Sequence, residues 1–185
     1  MKELSLNILD ITENSVKAGA TLTEIIIKEQ GSVLTLTVKD DGCGMTEEVL
    51  KSVTNPFYTT RKTRRVGLGI PLLKLSCEQT GGNLAITSRD KERFPTSHGT
   101  TLVATFYKDH IDFTPIGDVV STVTTLIQGH PDTDFLFIHE NEGGRVSLDT
   151  REIKEVLEDT PINSFEILLW IEDNLKEQYK ELNMP

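Results

Sequence analysis

Long apolar runs are missing from this chain of 185 residues: none approaches the roughly 18 consecutive apolar positions of a membrane span. No basic segment followed by an apolar core opens the N-terminus either. No membrane association is therefore expected, and a cytoplasmic setting is. Cysteine is scarce as well. Cys43 and Cys77 have no metal-ligand spacing, so neither a disulfide framework nor a zinc site is expected, and both read as small buried thiols. Cations are few in the second half, where residues 109–185 carry 5 Lys and Arg against 17 Asp and Glu. A chain that binds nucleic acid needs cationic surface to displace counterions, so nucleic acid is not an expected partner and another protein is. Internal repeats and low-complexity linkers are absent too.

What is present suits one domain plus an extension, or two small ones. Residues 1–108 are nearly balanced, with 14 cations against 12 carboxylates, and the swing to acid after Lys108 marks a boundary. Two units follow: residues 1–108, and an acidic α/β unit at 109–185 whose small core should pack on the first.

Apolar or small residues recur at helical spacing at Leu4, Ile8, Ile11 and Ser15, which predicts a helix over residues 1–20 closed by Gly19. Residues 23–30 and 33–40 read as a hairpin around Gly31-Ser32. A short helix over 46–53 begins at Thr46. Residues 55–66 are polar, basic and irregular, the pattern of a loop. A helix over 68–79 tolerates Pro71 in its first turn, where the amides lack intrahelical partners. Strands follow at 84–89 and 100–108, then a helix over 116–128, a hairpin of 135–139 with 145–148, and helices over 150–157 and 165–182.

The chemistry lies in a few short stretches. On the first helix Asp10, Asn14 and Lys17 fall within about 60° of one another, with Glu13 beside them. Any surface helix carries such a polar stripe, and alone it decides nothing. The second strand ends in V-K-D-D-G-C-G-M, residues 38–45, which places a carboxylate before two glycines. Then come N-P-F-Y-T-T-R, a basic run at Arg61, Lys62, Arg64 and Arg65, R-V-G-L-G-I, T-G-G-N and S-H-G-T-T. Four cations in five positions would attract a triphosphate, and Gly67 and Gly69 precede a helix whose free amides favour anions.

In this order, over about residues 6–106, these motifs resemble the nucleotide pocket of the ATPase superfamily shared by gyrase, the Hsp90 chaperones, histidine kinases and MutL. The resemblance implies an α+β fold, a two-layer α/β sandwich of the Bergerat ATP-binding type, here with a small α/β C-terminal extension. It implies ATP and Mg²⁺ as ligands. Asn14 would hold the metal, Lys17 would meet an α- or β-phosphate, and Asp10 would orient or deprotonate the attacking group, with Glu13 as the reserve base. Asp40 rather than Asp41 would accept the adenine amino hydrogen, Gly42 and Gly44 would let the backbone pass against the base, and Met45 would adjoin it. Phe57 would anchor the ATP lid on its apolar side. Thr59, Thr60, Arg61, Lys62, Arg65, Gly67, Leu68 and Gly69 would surround the phosphates, and Thr100 would support adenine through water.

Two departures matter. Hydrolytic members usually have Glu where Asp10 stands, and kinases usually have Gly where Arg65 stands, so Arg65 either stiffens the lid or meets the γ-phosphate. His98, His110 and His130 read as surface residues, and no helical hairpin bearing a phosphoacceptor His precedes the ATP module. The leading expectation is therefore a stand-alone histidine-kinase-like phosphotransferase acting in signalling on a separate, unidentified protein, with a homodimer allowed. A slow ATPase of MutL or Hsp90 type and a non-catalytic nucleotide sensor are the alternatives.

Overall fold

The apolar recurrence at Leu4, Ile8 and Ile11 buries one side of a helix, and the computed structural model, which describes residues 3–54 and 68–182, forms α1 there (Leu4–Lys17). Its first free amides are not left to solvent: Leu4 N–H donates to the Pro115 carbonyl and Ser5 N–H to the Ile116 carbonyl, at 2.9 and 2.8 Å. Strands β1 (Leu22–Gln30) and β2 (Val33–Asp40) follow as an antiparallel hairpin. Short α2 (Glu47–Ser52) is capped by the Thr46 hydroxyl, which accepts from Val49 N–H. After α3 (Gly69–Gln79) come β3 (Asn83–Arg89) and β4 (Gly99–Tyr107), α4 (Val119–Gly129), β5 (Asp134–Asn141), β6 (Gly144–Asp149), α5 (Thr150–Leu157) and α6 (Phe165–Glu181). No helix among the described residues is long and apolar enough to cross a membrane.

All six strands join one sheet in the order β3-β4-β2-β1-β5-β6, antiparallel except for β1 against β5. Strict alternation puts Ile25 and Ile27 of β1, Leu34, Leu36 and Val38 of β2, and Leu102, Ala104 and Phe106 of β4 on one face. That face packs against a helix layer in which α1 lies between α3 and α4, and α4 touches α6. The result is the two-layer sandwich expected from the sequence. Each large side chain buried this way, Phe106, Phe135 and Phe137 among them, contributes about 1.5–3 kcal/mol.

The expected boundary after Lys108 does not separate two bodies. Beyond it, β5 pairs with β1 from Leu22↔Asp134 to Lys28↔Glu140, and one continuous core holds Leu34 and Phe106 together with Phe137, Val146 and Ile171. About 75 residues bury too little by themselves, and lending two strands to an existing sheet solves that shortage.

Candidate nucleotide site

Three segments meet at the C-terminal end of β2. Asp40, its last residue, accepts at Oδ1 from Gly42 N–H (3.0 Å) and Thr100 N–H (3.2 Å), and at Oδ2 from the Ser15 hydroxyl (2.8 Å). A carboxylate oxygen has two acceptor positions, so Oδ2 keeps capacity for one more donor, as an adenine amino group would require. Asp41 accepts as many bonds, but from other partners. Its Oδ1 accepts from the backbone N–H of Thr21 and Leu22, at 2.7 and 2.9 Å, and its Oδ2 from the Thr21 hydroxyl. Burial pushes the Asp41 carboxyl up, but these backbone and hydroxyl donors outweigh it and hold the group below its ordinary range.

The loop after Asp40 is fixed by the chain itself. Cys43 N–H donates to the Ala18 carbonyl at 2.8 Å, Lys91 N–H to the Cys43 carbonyl at 2.9 Å, and Met45 N–H to the Ser88 hydroxyl at 2.8 Å. Ser88 Oγ also pairs with Thr100 Oγ1 at 2.9 Å, so Met45 and Thr100 share one hub. A methyl group on Gly44 would lie 2.0 Å from the Arg89 carbonyl oxygen, and its φ of +67° is one that side chains disfavour. On Gly42 it would meet Ala18 Cβ at 2.9 Å. Both glycines thus pass close to the chain itself, at Ala18 and Arg89. Cys43 is exposed, against the expectation of a buried thiol, because the loop turns its side chain outward, whereas Cys77 is buried and pushed up to about 11 by burial.

The polar stripe of α1 divides between two neighbours. Asp10 and Asn14 face the start of α3: a methyl group on Gly69 would lie 3.4 Å from Asp10 Cβ and 3.8 Å from both Asp10 Oδ2 and Asn14 Nδ2. Leu68 caps that end of α3 without a side-chain hydrogen bond. Glu13 turns toward the end of α4, where His130 Nε2 lies 2.6 Å from Oε1 and Lys17 Nζ 2.8 Å from Oε2. The hydrogen bonds from His130 and Lys17 hold its carboxyl below the usual range. A carboxylate so occupied is a poor proton acceptor, and Glu13 is a structural partner of α4 here rather than a reserve base beside Asn14. Lys17 is engaged in the same pair. Phe57, Thr59, Thr60, Arg61, Lys62, Arg65 and Gly67 lie outside the described residues.

Sequence reasoning missed three contributors. Ser15 sat in the apolar line of α1, Ser88 was an ordinary strand residue, and His98 was read as a surface residue although its Nδ1 lies 2.6 Å from the Gly42 carbonyl oxygen. A carbonyl only accepts, so that nitrogen carries the proton. A hydroxyl at a buried helix position was the available clue for Ser15; nothing in the letters marked Ser88.

The family described as histidine kinase-, DNA gyrase B- and HSP90-like ATPase matches residues 2–110, more than half of the chain. This chain belongs to that family. Residues 2–110 are thus an ATP-binding domain of this ATPase family, and the cluster around Asp40 and Asn14 falls within them. Among curated relatives, sporulation kinase C of Bacillus subtilis (strain 168) is 33% identical over 88 residues, 48% of this chain and 20% of the kinase. Sporulation kinase E of the same organism is 35% identical over 91 residues, 49% of this chain and 12% of the kinase. The chain therefore spans a fifth or less of these relatives. Among solved structures, the Aquifex aeolicus MutL ATPase domain complexed with ADP superposes with a TM-score of 0.55 at 15% identity, covering 85% of this chain and 70% of that one. The N-terminal domain of a DNA repair protein gives 0.57 at 16% identity, with 88% and 59% covered. Identities this low speak to the fold alone.

Proposed function

We propose that this chain binds ATP with Mg²⁺ and uses it as a histidine-kinase-like phosphotransferase on a separate protein. The observation that carries the reading is the pairing of two arrangements on α1: Ser15 bound to Asp40, and, one residue before it, Asn14 facing the start of α3 with Asp10. Asp40 would take the adenine amino hydrogen on Oδ2. Asn14 supplies the amide oxygen suited to Mg²⁺, an ion that takes few protein oxygens and completes its shell with water and phosphate. Bound there, Mg²⁺ would neutralise phosphate charge.

The start of α3 lies beside Asp10 and Asn14, and its N-terminal amides would stabilise phosphate oxygens there. Asp10 would accept the proton of the attacking hydroxyl or imidazole, and its position beside Gly69 supports that role over Glu13. Phosphoryl transfer asks mainly for positioning and electrostatic stabilisation, which this set supplies. The likeness to sporulation kinases supports transfer to a protein.

A second reading is a slow ATPase whose closure moves the rest of the protein, and it is carried by the single sheet that continues from β1 into β5 of the second half. Incubation with Mg-ATP separates the two. Labelling of a co-purified protein without phosphate release supports transfer; release without labelling supports the ATPase. Asp10→Asn should lower either rate by a factor of at least about 100, since a positioned base contributes roughly that much, while leaving ATP affinity within about twofold. Unchanged turnover would remove Asp10 from this role.

A further inference from the structure

Strand β6 ends the sheet, and a groove of about 420 Å³ runs beside it between α5 and α6. Leu136, Leu148, Ile153 and Trp170 supply its apolar lining, and Asp149 and Glu152 its carboxylates. That volume is enough for one or two large side chains. At Ser147 the strand edge is already taken: Gln178 accepts from Ser147 N–H at 3.0 Å and donates to the Ser147 carbonyl at 3.1 Å, so its carboxamide occupies hydrogen bonds that an added strand would use. Recognition at that point works through side chains.

Two features describe the occupant. Trp170, the only tryptophan of the chain, is 53% exposed, and Phe165 and Leu169 of the same helix are also exposed. An aromatic in this setting is a typical anchor of a protein interface. The charge is one-sided: residues 150–182 carry nine carboxylates against four cations. Three of those cations, Arg151, Lys154 and Lys176, are already paired with Asp149, Asp134 and Glu172. Arg145 in the groove wall makes no ion pair among the described residues and offsets one carboxylate there. Glu152 in the groove wall, with Glu155 of α5 and Glu166, Asp173 and Glu177 of α6, makes no ion pair among the described residues, and leaves the two helices that flank the groove net negative.

We propose that this groove docks a basic segment of a partner protein, an aliphatic or aromatic anchor lying on Trp170 and lysine or arginine side chains meeting Glu152 and the α6 carboxylates. The site is independent of the nucleotide reading. Because Trp170 is the sole tryptophan, intrinsic fluorescence of the full chain reports on the groove directly. The probe is a synthetic peptide of alternating lysine and leucine, with a control in which glutamate replaces lysine. The lysine peptide should shift the emission to the blue, and its affinity should fall at least about tenfold between 50 and 500 mM salt, as screening requires. Glu152→Lys should weaken it several-fold. Glu92→Lys, an equal charge change on the loop between β3 and β4 at the opposite side of the sheet, should not. Circular dichroism checks that both variants fold. No shift, an equal shift with the glutamate peptide, or equal weakening by the two variants would overturn the proposal. So would sedimentation showing that the chain pairs with itself in a Glu152-dependent way.

Discussion

Two adjacent aspartates, alike in the sequence, are divided by their donors. Asp41 spends both oxygens on Thr21 and Leu22 and fastens the end of β2 to the start of β1. Asp40 holds three bonds, with room for a fourth. The motif pointed to Asp40 by position; each aspartate accepts three bonds and keeps one acceptor position on Oδ2, and what divides them is the segments they join, α1 and the start of β4 for Asp40 and the start of β1 for Asp41. Ser15 shows the limit of periodic reading, because a small hydroxyl residue fits an apolar stripe as well as alanine does, and only its partner 25 residues away reveals its work. Removing it leaves a partly buried carboxylate short of one donor. Ser15→Ala should cost about 0.5–1.5 kcal/mol of unfolding free energy in urea titrations and weaken ATP binding several-fold. An unchanged midpoint together with unchanged affinity would show that the bond is idle.

Among the elements, the ranges read from the sequence agree well where local signals govern. Strand β2 and helix α5 span residues 33–40 and 150–157, as read from the sequence, and Asp149 caps α5 by accepting from Arg151 N–H. Helix α4 starts at Val119 rather than Ile116 because Gly117 adopts φ +77° and Asp118 caps the helix by accepting from Ser121 N–H at 2.8 Å. His139 was taken for the end of a strand. The strand runs on to Asn141, which turns the histidine inward, 0% exposed, with Nδ1 2.9 Å from the Tyr179 hydroxyl and Nε2 2.8 Å from Glu29 Oε1. Lys108 completes the chain on Glu29 Oε2 at 2.7 Å. These bonds tie β1, β5 and α6 together, and they make stability depend on pH. Burial holds His139 below its ordinary value of 6.5. Burial pushes Glu29 up, but the hydrogen bonds from Lys108 and His139 outweigh it and hold the carboxyl below 4.5. Both folded values lie under the unfolded ones, so both contributions are complete above the unfolded pKa and are lost as pH falls. The histidine acts from about 6.5 downward and the glutamate below 4.5. Urea unfolding should give a lower free energy at pH 5 than at pH 7.5, with a slope approaching about 1.4 kcal/mol per pH unit for one proton. His139→Leu should lower stability overall and flatten that slope. An equal slope in the variant would place the titration elsewhere.

For the whole molecule, the fold class of the first 108 residues was legible because the motifs come in order and adjacent strands pair with each other: β1 with β2, β3 with β4. Packing of the second half on the first was expected, but its entry into the same sheet was not. Parallel pairing of β1 with β5 joins residues more than 100 positions apart, and no local pattern encodes it. The change of charge after Lys108 was real but marked a change of surface, not of core. Likewise, convergence of α1, the end of β2 and the start of β4 on Asp40 depends on the sheet, while its motifs were each readable alone. The central claim is that Asp40 reads adenine in a pocket built by these segments. Calorimetric titration of the chain and of Asp40→Asn with Mg-ATP tests it most directly. The account predicts ATP binding that loses about 1.5–3 kcal/mol in the variant, and no comparable binding of GTP, which presents a carbonyl where adenine presents its amino group. Equal affinity of ATP for both proteins would contradict it.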